Sequence, residues 1–359
     1  MPEKIYRQLS KRLDAIPNGF PSTKSGVELR LLKKIFTPEE AALGTVMRLT
    51  LEPADDIAAR VGMDSRQVYR TLKGMSRKGL IRFKKGEGQF IFGLMPFVVG
   101  IYEEQLSRID KEFAALFEAY LKETIGTVIS EQPAVHRIIP MDKAIPFDLE
   151  IFPYEKASEI IESAKSWAVR DCICRVQQRL IGKGCEKSIE NCLIFAPIQG
   201  VFNRSEVNRV IEKQNALDLL KAAQEEGLVH STGNYRQGLY YICNCCTCCC
   251  GIMRCLSEFG VPTAIAHSDF RAVHNDDTCT GCSTCVEHCP FGALTIWEDI
   301  CSVDHSRCLG CGLCVTVCPT GSLHLERRSK GETPMPPLGI KDWMVRRADE
   351  RGISMRDIL

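Results

Sequence analysis

Two copies of one cysteine pattern lie close together near the C-terminus of this 359-residue chain. The first is CTGCSTCVEHCP, from Cys279 to Pro290, and the second is CLGCGLCVTVCP, from Cys308 to Pro319. Both have the spacing C-x2-C-x2-C-x3-C-P, in which three thiolates bind one 4Fe-4S cluster and the fourth reaches a neighbouring cluster. The pattern therefore predicts two iron-sulfur clusters and one-electron transfer as the chemistry of this segment.

Each run alone is too short to surround a cluster, because a cube needs four thiolates that approach its irons from different directions. Glycines between the first ligands, such as Gly281 and Gly310, let the backbone curl tightly around the cluster. Cys301 falls outside the pattern, and we expect it to be a small buried strand residue rather than a ligand. The two predicted ligand sets are Cys279, Cys282, Cys285 and Cys318 for cluster one, and Cys308, Cys311, Cys314 and Cys289 for cluster two.

The segment from Cys279 to Leu325 resembles bacterial dicluster ferredoxins, since both motifs are intact and stand at about the usual separation. The resemblance implies a ferredoxin-like fold and an electron-transfer role for this part of the chain. A pair of zinc sites is the alternative. Zinc usually takes C-x2-C pairs from two knuckles, so tandem four-cysteine runs that end in proline suit it poorly.

A second population of cysteines lies upstream of both motifs, in the segments DCICR, GKGCEKSIENCL and ICNCCTCCCGIMRC. Alanine or valine would pack as well without the risk of oxidation, so this density indicates metal ligands. If both runs are extended, alternation along a strand pairs Cys172 with Cys174 and Cys243 with Cys245 on one face. The candidate ligands are Cys172, Cys174, Cys185, Cys192, Cys243, Cys245, Cys246, Cys248, Cys249 and Cys250.

The metal that these upstream cysteines bind is left open by the sequence. Four of them are enough for a further iron-sulfur cluster, and the others complete another cluster, bind structural zinc or remain buried thiols. Arg175 either balances thiolate charge or forms an ordinary salt bridge. The order of a winged helix, a CxCR pair, a cysteine-packed strand and a dicluster ferredoxin resembles a group of 4Fe-4S-binding proteins, and this resemblance implies no assigned reaction.

The N-terminal third has no cysteine and has the pattern of a winged helix. Thr37 and Pro38 begin a predicted helix, DDIAARV forms a second, and SRQVYRTLKGMSRKGL forms a third that Asp64 or Ser65 caps. The strands IRF and QFIFGL follow around a glycine-containing hairpin tip. Residues 61–90 carry eight basic and two acidic residues, so DNA binding is open, although docking of a partner protein is favoured.

Composition and element order together predict a multidomain α+β protein. The formal net charge is +1, the segment MPEKIYRQLSKRLDAIPNGF lacks the features of a signal peptide, and no run is long enough to span a membrane. We expect a cytoplasmic protein from an environment with little oxygen. The predicted domains are a winged-helix-like domain at 1–100, a connecting helix and extended linker at 101–154, a cysteine-rich α+β domain at 155–268, a dicluster ferredoxin domain at 269–328, and a linker with a docking helix at 329–359.

The predicted function is electron transfer through two 4Fe-4S clusters, and through a further cluster if one exists, to a partner oxidoreductase. Acidic residues outnumber basic ones in residues 271–325, which favours a redox partner with a basic docking face. No phosphate loop or nucleotide fingerprint occurs, so an electron-transfer protein or oxidoreductase subunit is favoured over a stand-alone enzyme. The alternative is a redox-sensing transcriptional regulator. The sequence leaves the oligomeric state open.

Overall fold

The computed structural model describes residues 2–86, 88–125, 127–146, 151–203, 205 and 207–356. The chain forms two compact units. Unit 1 comprises residues 1–132, 177–182 and 344–359, and unit 2 comprises residues 133–176 and 183–343. None of the helices in the described part of the chain combines the length and apolar character that a membrane crossing needs.

The N-terminal elements alternate helices with a small sheet. They are α1 (Pro2–Asp14), α2 (Val27–Ile35), α3 (Pro38–Val46), β1 (Glu52–Pro53), α4 (Ala54–Val61), α5 (Ser65–Arg77), β2 (Ile81–Lys85), β3 (Phe90–Leu94) and α6 (Lys111–Thr124). The strands form a three-stranded antiparallel sheet in the order β1-β3-β2. Val68, Leu72 and Met75 of α5 are buried, as the sequence predicted.

Local signals fix the ends of these helices. The Thr37 hydroxyl accepts from the Glu40 amide while the Glu40 carboxylate accepts from the Thr37 amide, which is a complete capping box for α3. Asp64 caps α5 by accepting from the Gln67 amide. The connecting helix predicted within residues 101–154 is α6, which begins only at Lys111, where Asp110 caps it.

Unit 2 contains the remaining strands and most of the remaining helices. In chain order the next elements are β4 (His136–Ile138), α7 (Ala157–Glu162), β5 (Ser166–Asp171), α8 (Ile173–Leu180), β6 (Glu190–Ala196), β7 (Arg209–Ile211), α9 (Lys213–Glu225), β8 (Val229–Gly233), β9 (Tyr241–Cys245) and α10 (Gly251–Ser257). They are followed by β10 (Ile265–Ala266), β11 (Phe270–His274), α11 (Thr284–His288), β12 (Leu294–Trp297), β13 (Ile300–Val303), α12 (Leu313–Thr316), β14 (Leu323–Arg327) and α13 (Ile340–Glu350).

A seven-stranded sheet in the order β10-β4-β8-β9-β6-β5-β7 forms the framework of unit 2. Helices α7 and α9 pack on this sheet. Ile161 of α7, Leu220 of α9 and Val169 of β5 are buried in one apolar core. The segment KASEIIESAKSWAV has the apolar spacing of a single amphipathic helix, but it is α7 followed by β5. Its apolar residues from Trp167 to Val169 complete the sheet, and this burial outweighs their local helix pattern.

The C-terminal part of unit 2 contains two hairpin-like strand pairs. Strand β11 pairs antiparallel with β14, and β12 pairs antiparallel with β13. The cysteine runs lie in the connections before and within α11 and α12. Residues 126 and 147–150 of the predicted linker, Glu87 of the predicted hairpin tip, and residues 357–359 of the predicted docking segment lie outside the described residues.

Candidate metal centres

The first candidate centre is a cavity that takes its thiols from both cysteine runs. Cys279, Cys282 and Cys285 of the first run line it together with Cys318 of the second run. We call it the outer cavity, because Cys282 is exposed and Cys279 and Cys318 are half-buried. Four thiols around one space are the donor set that a 4Fe-4S cube requires.

The second candidate centre is lined by the complementary set of thiols. Cys308, Cys311 and Cys314 of the second run meet Cys289 of the first run, and Phe291, Leu309 and Leu313 complete the apolar lining. We call it the inner cavity, because the three cysteines of the second run are buried. The structure therefore brings together both crossed groups of four cysteines that the spacing predicted.

Backbone amides donate hydrogen bonds to the sulfurs of both cavities. The Cys301 amide donates to Cys279 Sγ at 3.4 Å, and the Ala272 amide donates to Cys308 Sγ at 3.4 Å. The two acceptors are the first cysteines of their runs, so Cys301 and Ala272 occupy equivalent positions beside the two cavities. Such donors stabilise negative charge on a ligating sulfur.

Glycines are required where the cysteine loops approach neighbouring backbone. A Cβ atom on Gly281 would lie 2.6 Å from the Asp299 carbonyl oxygen, and one on Gly310 would lie 2.0 Å from the Phe270 carbonyl oxygen. Both glycines also have a positive φ. Any other residue would push each loop away from the backbone that packs against it. These glycines therefore hold the thiols in place.

Cys301 is a residue whose importance the sequence reasoning missed. It is buried on β13, as expected, but its thiol lies 3.7 Å from Cys285 Sγ and lines the outer cavity. Burial and the nearby Cys285 raise the pKa of Cys301 to about 12. The position of Cys301 on the buried face of a strand between the two runs was the available signal.

The inner cavity lies against the first part of unit 2. The Met141 amide donates to the Cys311 carbonyl oxygen at 2.9 Å, and a Cβ on Gly312 would lie 2.6 Å from Ala144 Cβ. Met141 follows β4 closely in the chain. One hydrogen bond and one close packing contact therefore connect the inner cavity to the segment that follows β4, a strand of the sheet that carries upstream cysteines.

The surroundings of the outer cavity are acidic and exposed. The turn between β12 and β13 packs on Gly281, and Trp297 at the end of β12 is 74 % exposed. The acidic side chains predicted to face a partner are all exposed: Asp276, Asp277, Glu287, Glu298, Asp299 and Asp304. The segments next to the ligands of the more accessible cavity therefore carry exposed acidic residues and an exposed aromatic ring.

Six upstream cysteines form a third centre, which we call the six-thiol group. Their thiols make hydrogen-bonding contacts in the order Cys172, Cys174, Cys250, Cys245, Cys243 and Cys192. The Ser231 hydroxyl lies 3.6 Å from Cys245 Sγ and 3.4 Å from His136 Nδ1. The group thus stands on the end of β9 and is linked to β8 and β4 through Ser231.

The extended arrangement predicted for both cysteine pairs is correct for one of them. Cys243 and Cys245 lie on β9. Cys172 follows β5, and Cys174 lies in the first turn of α8, so this pair is not on a strand. The turn from strand to helix still brings the two thiols into contact with each other.

Four further cysteines form a fourth centre, which we call the four-thiol group. It consists of Cys185, Cys246, Cys248 and Cys249, whose sulfurs all lie within 4.8 Å of one another. Cys249 Sγ lies 3.6 Å from Cys185 Sγ and 3.8 Å from Cys248 Sγ, and Cys185 Sγ lies 3.9 Å from Cys246 Sγ. All ten upstream cysteines that the sequence singled out therefore fall into these two groups.

Arg175 is completely buried next to both groups of upstream thiols. Its guanidinium donates to Asn191 Oδ1 and to the Asn244 carbonyl oxygen, each at 2.8 Å. The charges of Cys172, Cys246 and Cys245 act on it and raise its pKa despite burial, which by itself lowers it. Of the two interpretations from the sequence, the structure supports the one in which Arg175 balances thiolate charge.

Each group contains a cysteine whose thiol is unusually acidic. Hydrogen bonds from Cys243 and Cys250 lower the pKa of Cys245 to about 6. A hydrogen bond from Cys249, together with the Arg175 charge, lowers the pKa of Cys246 to about 4. The thiolate is the form that binds metals. Contact with neighbouring thiols and burial raise the pKa of other members such as Cys243 and Cys249, so the first thiolate of each group would begin ligation and the metal would displace the remaining protons.

Comparison with known families identifies one part of the chain. The family described as 4Fe-4S dicluster domain matches residues 278–322, a segment that contains both cavities. No curated protein matches the chain. The protein is therefore a mixed α+β chain with a dicluster iron-sulfur domain near its C-terminus.

Proposed function

We propose that this chain is an iron-sulfur electron-transfer protein in which two 4Fe-4S clusters and a third cluster share one folded unit. The ligands would be the four thiols of the outer cavity, the four thiols of the inner cavity, and members of the six-thiol group. Such clusters, when bound, exchange single electrons. The match of residues 278–322 to the dicluster domain supports the first two sites.

The main support for a relay is the asymmetry between the two cavities. The outer cavity has an exposed thiol and an acidic surface, whereas the inner cavity is buried and joined to Met141 by a hydrogen bond. The outer cavity is thus accessible to a partner protein. The inner cavity contacts the segment that follows β4, a strand of the sheet on which the six-thiol group stands. This arrangement suits transfer from a docked protein into the interior of unit 2.

We infer that the redox partner presents a basic face to the outer cavity. Exposed Glu298 and Asp299 directly follow Trp297, and Asp276 and Asp277 precede the first ligand. Complementary charge speeds association, and a large aromatic ring at the centre of a patch supplies contact area.

The proposal is tested first by counting iron and acid-labile sulfide on anaerobically purified full-length protein. Two cubane clusters require about eight irons per chain, and a third adds up to about four. About twelve irons, with reduced spectra from more than two interacting clusters, would support the relay. Fewer than about eight irons after anaerobic reconstitution would rule out two complete cubanes.

A redox-sensing regulator remains the second candidate, on one specific observation. The order α3-β1-α4-α5-β2-β3 with a small antiparallel sheet supports the proposal of a winged helix, and α5 exposes Arg66, Arg70 and Lys73. A cleft of about 570 Å³ lies beside α5 and includes Arg66, Arg70 and Gln89. Basic side chains along such a helix suit the phosphate backbone of DNA.

A gel-shift series distinguishes the regulator from the electron carrier. Binding of double-stranded DNA that weakens as salt rises, and that differs between oxidised, reduced and cluster-free protein, would favour the regulator. Replacing Arg66 and Arg70 by Ala should then abolish the shift while iron content stays unchanged. No binding by any of the three forms at low salt would remove the regulator candidate.

A further inference from the structure

The ten upstream thiols form two groups that differ in the distances between their sulfur atoms. These distances indicate whether a group can bind a single metal ion or a cluster of several. In the four-thiol group the measured sulfur-to-sulfur distances are 3.6, 3.8 and 3.9 Å. A zinc ion with Zn–S bonds of about 2.3 Å at tetrahedral angles requires sulfurs about 3.8 Å apart. The four-thiol group therefore already has the dimensions of a site for a single ion.

The other thiols of the chain provide an internal comparison. In a cubane each thiolate binds a different iron, so the cube itself keeps the four sulfurs apart. Among the described residues, the four-thiol group is the only set of three or more metal-binding side chains whose ligand atoms all lie within 4.8 Å. Neighbouring thiols of the six-thiol group contact each other in pairs, but no three of them, and no three thiols of the two cavities, lie within 4.8 Å of one another.

The surroundings of the four-thiol group also fit a structural ion. Cys246 and Cys249 are buried against Ala223 and Leu228, and Cys185 packs on the same cluster. Four thiolates around a divalent ion carry a net charge of about −2, and the Arg175 guanidinium contacts the sulfur of Cys246. The apolar packing and this cation offset the cost of burying that charge.

The elements that carry these thiols show what the ion would do. Cys185 lies in the connection between α8 and β6, whereas Cys246, Cys248 and Cys249 lie in the turn between β9 and α10. Cys245 and Cys250 of the six-thiol group lie directly before and directly after these three cysteines in the chain. An ion at the four-thiol group would fix the turn and thereby position two ligands of the neighbouring cluster.

We propose that Cys185, Cys246, Cys248 and Cys249 bind one structural zinc ion, separate from the iron-sulfur cluster that the proposed function assigns to the six-thiol group. Zinc suits the site because it is redox-inactive and takes closed tetrahedral coordination by four cysteine thiolates in structural sites. The zinc assignment rests on sulfur spacing and does not depend on electron transfer by the chain.

The test is metal analysis of full-length protein with two sets of variants. We expect about one zinc per chain in the wild type, and X-ray absorption at the zinc edge should show about four sulfurs at about 2.3 Å. Cys185→Ser and Cys248→Ser should each lower zinc several-fold and leave most of the iron. Cys172→Ser and Cys243→Ser should lower iron and sulfide and leave zinc. Cys255→Ala, at a buried cysteine of α10 outside both groups, is the matched control.

Two outcomes would overturn the proposal. If wild-type protein holds no zinc and Cys248→Ser loses iron and sulfide together, the four thiols belong to an iron-sulfur cluster. If the zinc edge is absent and an isolated high-spin ferric signal appears after air oxidation, the ion is iron. The absorption measurement needs only the wild type, so it decides even where a variant misfolds. A failure of the proposed function would appear separately, as an iron count below that of two cubanes.

Discussion

At the scale of single residues, Cys301 gives the outer cavity a fifth thiol that the inner cavity lacks. Ala272 occupies the equivalent position beside the inner cavity and makes the same backbone hydrogen bond to a first cysteine. Once Cys285 binds a cluster as a thiolate, the Cys301 S–H group is the donor between the two sulfurs. The pair Cys301 and Ala272 therefore distinguishes two sites that are otherwise built alike.

Replacement of Cys301 by Ala is expected to lower the midpoint potential of the outer cluster. Hydrogen bonds to ligating sulfur stabilise the more negatively charged reduced cluster, so loss of one makes reduction harder. Ala272→Cys should raise the potential of the inner cluster for the same reason. Anaerobic redox titration followed by electron paramagnetic resonance measures both values. An unchanged outer potential in a fully loaded Cys301→Ala protein would mean that the thiol only fills space.

Arg175 is a second residue whose role is electrostatic. Arg175→Met leaves the thiolates beside it without a counter-charge and leaves Asn191 Oδ1 without its donor. We expect a loss on the order of 3 kcal/mol in stability and a large loss of upstream metal, with the iron of the two cavities retained. Metal content and the midpoint of thermal unfolding under anaerobic conditions check this. Arg179→Met, at an exposed position on the same helix, is the control and should change neither.

At the scale of elements, the sequence predicts local features, such as helix caps, better than it predicts which distant cysteines come together. Capping residues and apolar spacing act within a few positions, so Thr37, Asp64 and the buried face of α5 were predictable. The crossed cavities were predictable because the C-x2-C-x2-C-x3-C-P spacing itself encodes the crossing. The grouping of the eight cysteines around the two cavities could thus be predicted, whereas the contact of Cys301 with the outer cavity could not.

The division of the upstream thiols could not be predicted in this way. Cys185 meets Cys246 across about sixty residues of chain, and only the order of strands β5, β6 and β9 brings them together. Adjacent cysteines also separate, since Cys245 belongs to the six-thiol group and Cys246 to the four-thiol group. This separation follows from the end of β9, where successive side chains turn to different sides.

The contact between the second cysteine loop and β11 gives an element-scale prediction. Gly310→Ala would force a Cβ to 2.0 Å from the Phe270 carbonyl oxygen, so the loop must move away from the strand. Gly321→Ala is a matched control, because it has a similar φ of 67° but no atom within 4 Å of the added Cβ. We expect Gly321→Ala to cost about 1–3 kcal/mol from backbone strain and to keep both clusters.

Gly310→Ala should carry the same strain and in addition lose iron from the inner cavity, which the loop lines. Iron analysis and cluster spectra after identical anaerobic reconstitution compare the two variants. Equal iron in both variants would show that the loop tolerates the displacement. Glycine would then be needed at position 310 only for its positive φ.

At the scale of the whole molecule, an ion pair between a buried carboxylate and a half-buried guanidinium connects the two parts of unit 2. Glu155 is completely buried, and both of its oxygens accept from Arg327 of β14, at 2.8 and 3.0 Å. Residue 155 immediately precedes α7, which packs on the large sheet, while β14 pairs with β11 beside the inner cavity. The dicluster part is therefore integrated into unit 2 rather than attached by a loose linker.

Glu155→Gln is expected to weaken this connection by roughly 3 kcal/mol, because it leaves the Arg327 guanidinium without its carboxylate partner. Hydrogen exchange should rise in β14 and in residues 151–156, and the pair should show coupling in a double-mutant cycle with Arg327→Met. Glu326→Gln, at an exposed position on the same strand, should leave exchange unchanged. Additive effects of the two substitutions would mean that the pair does not couple the parts.

The crossing of ligands between the two cavities also sets an order of events during synthesis. Cys289 faces the second run and Cys318 faces the first, so neither cavity has its four thiols until the chain has been made as far as Cys318. A nascent chain that stops between the runs offers three thiols to one cluster and one to the other. With the ligand sets proposed above, both clusters would therefore be completed together, and only after the second run has been synthesised.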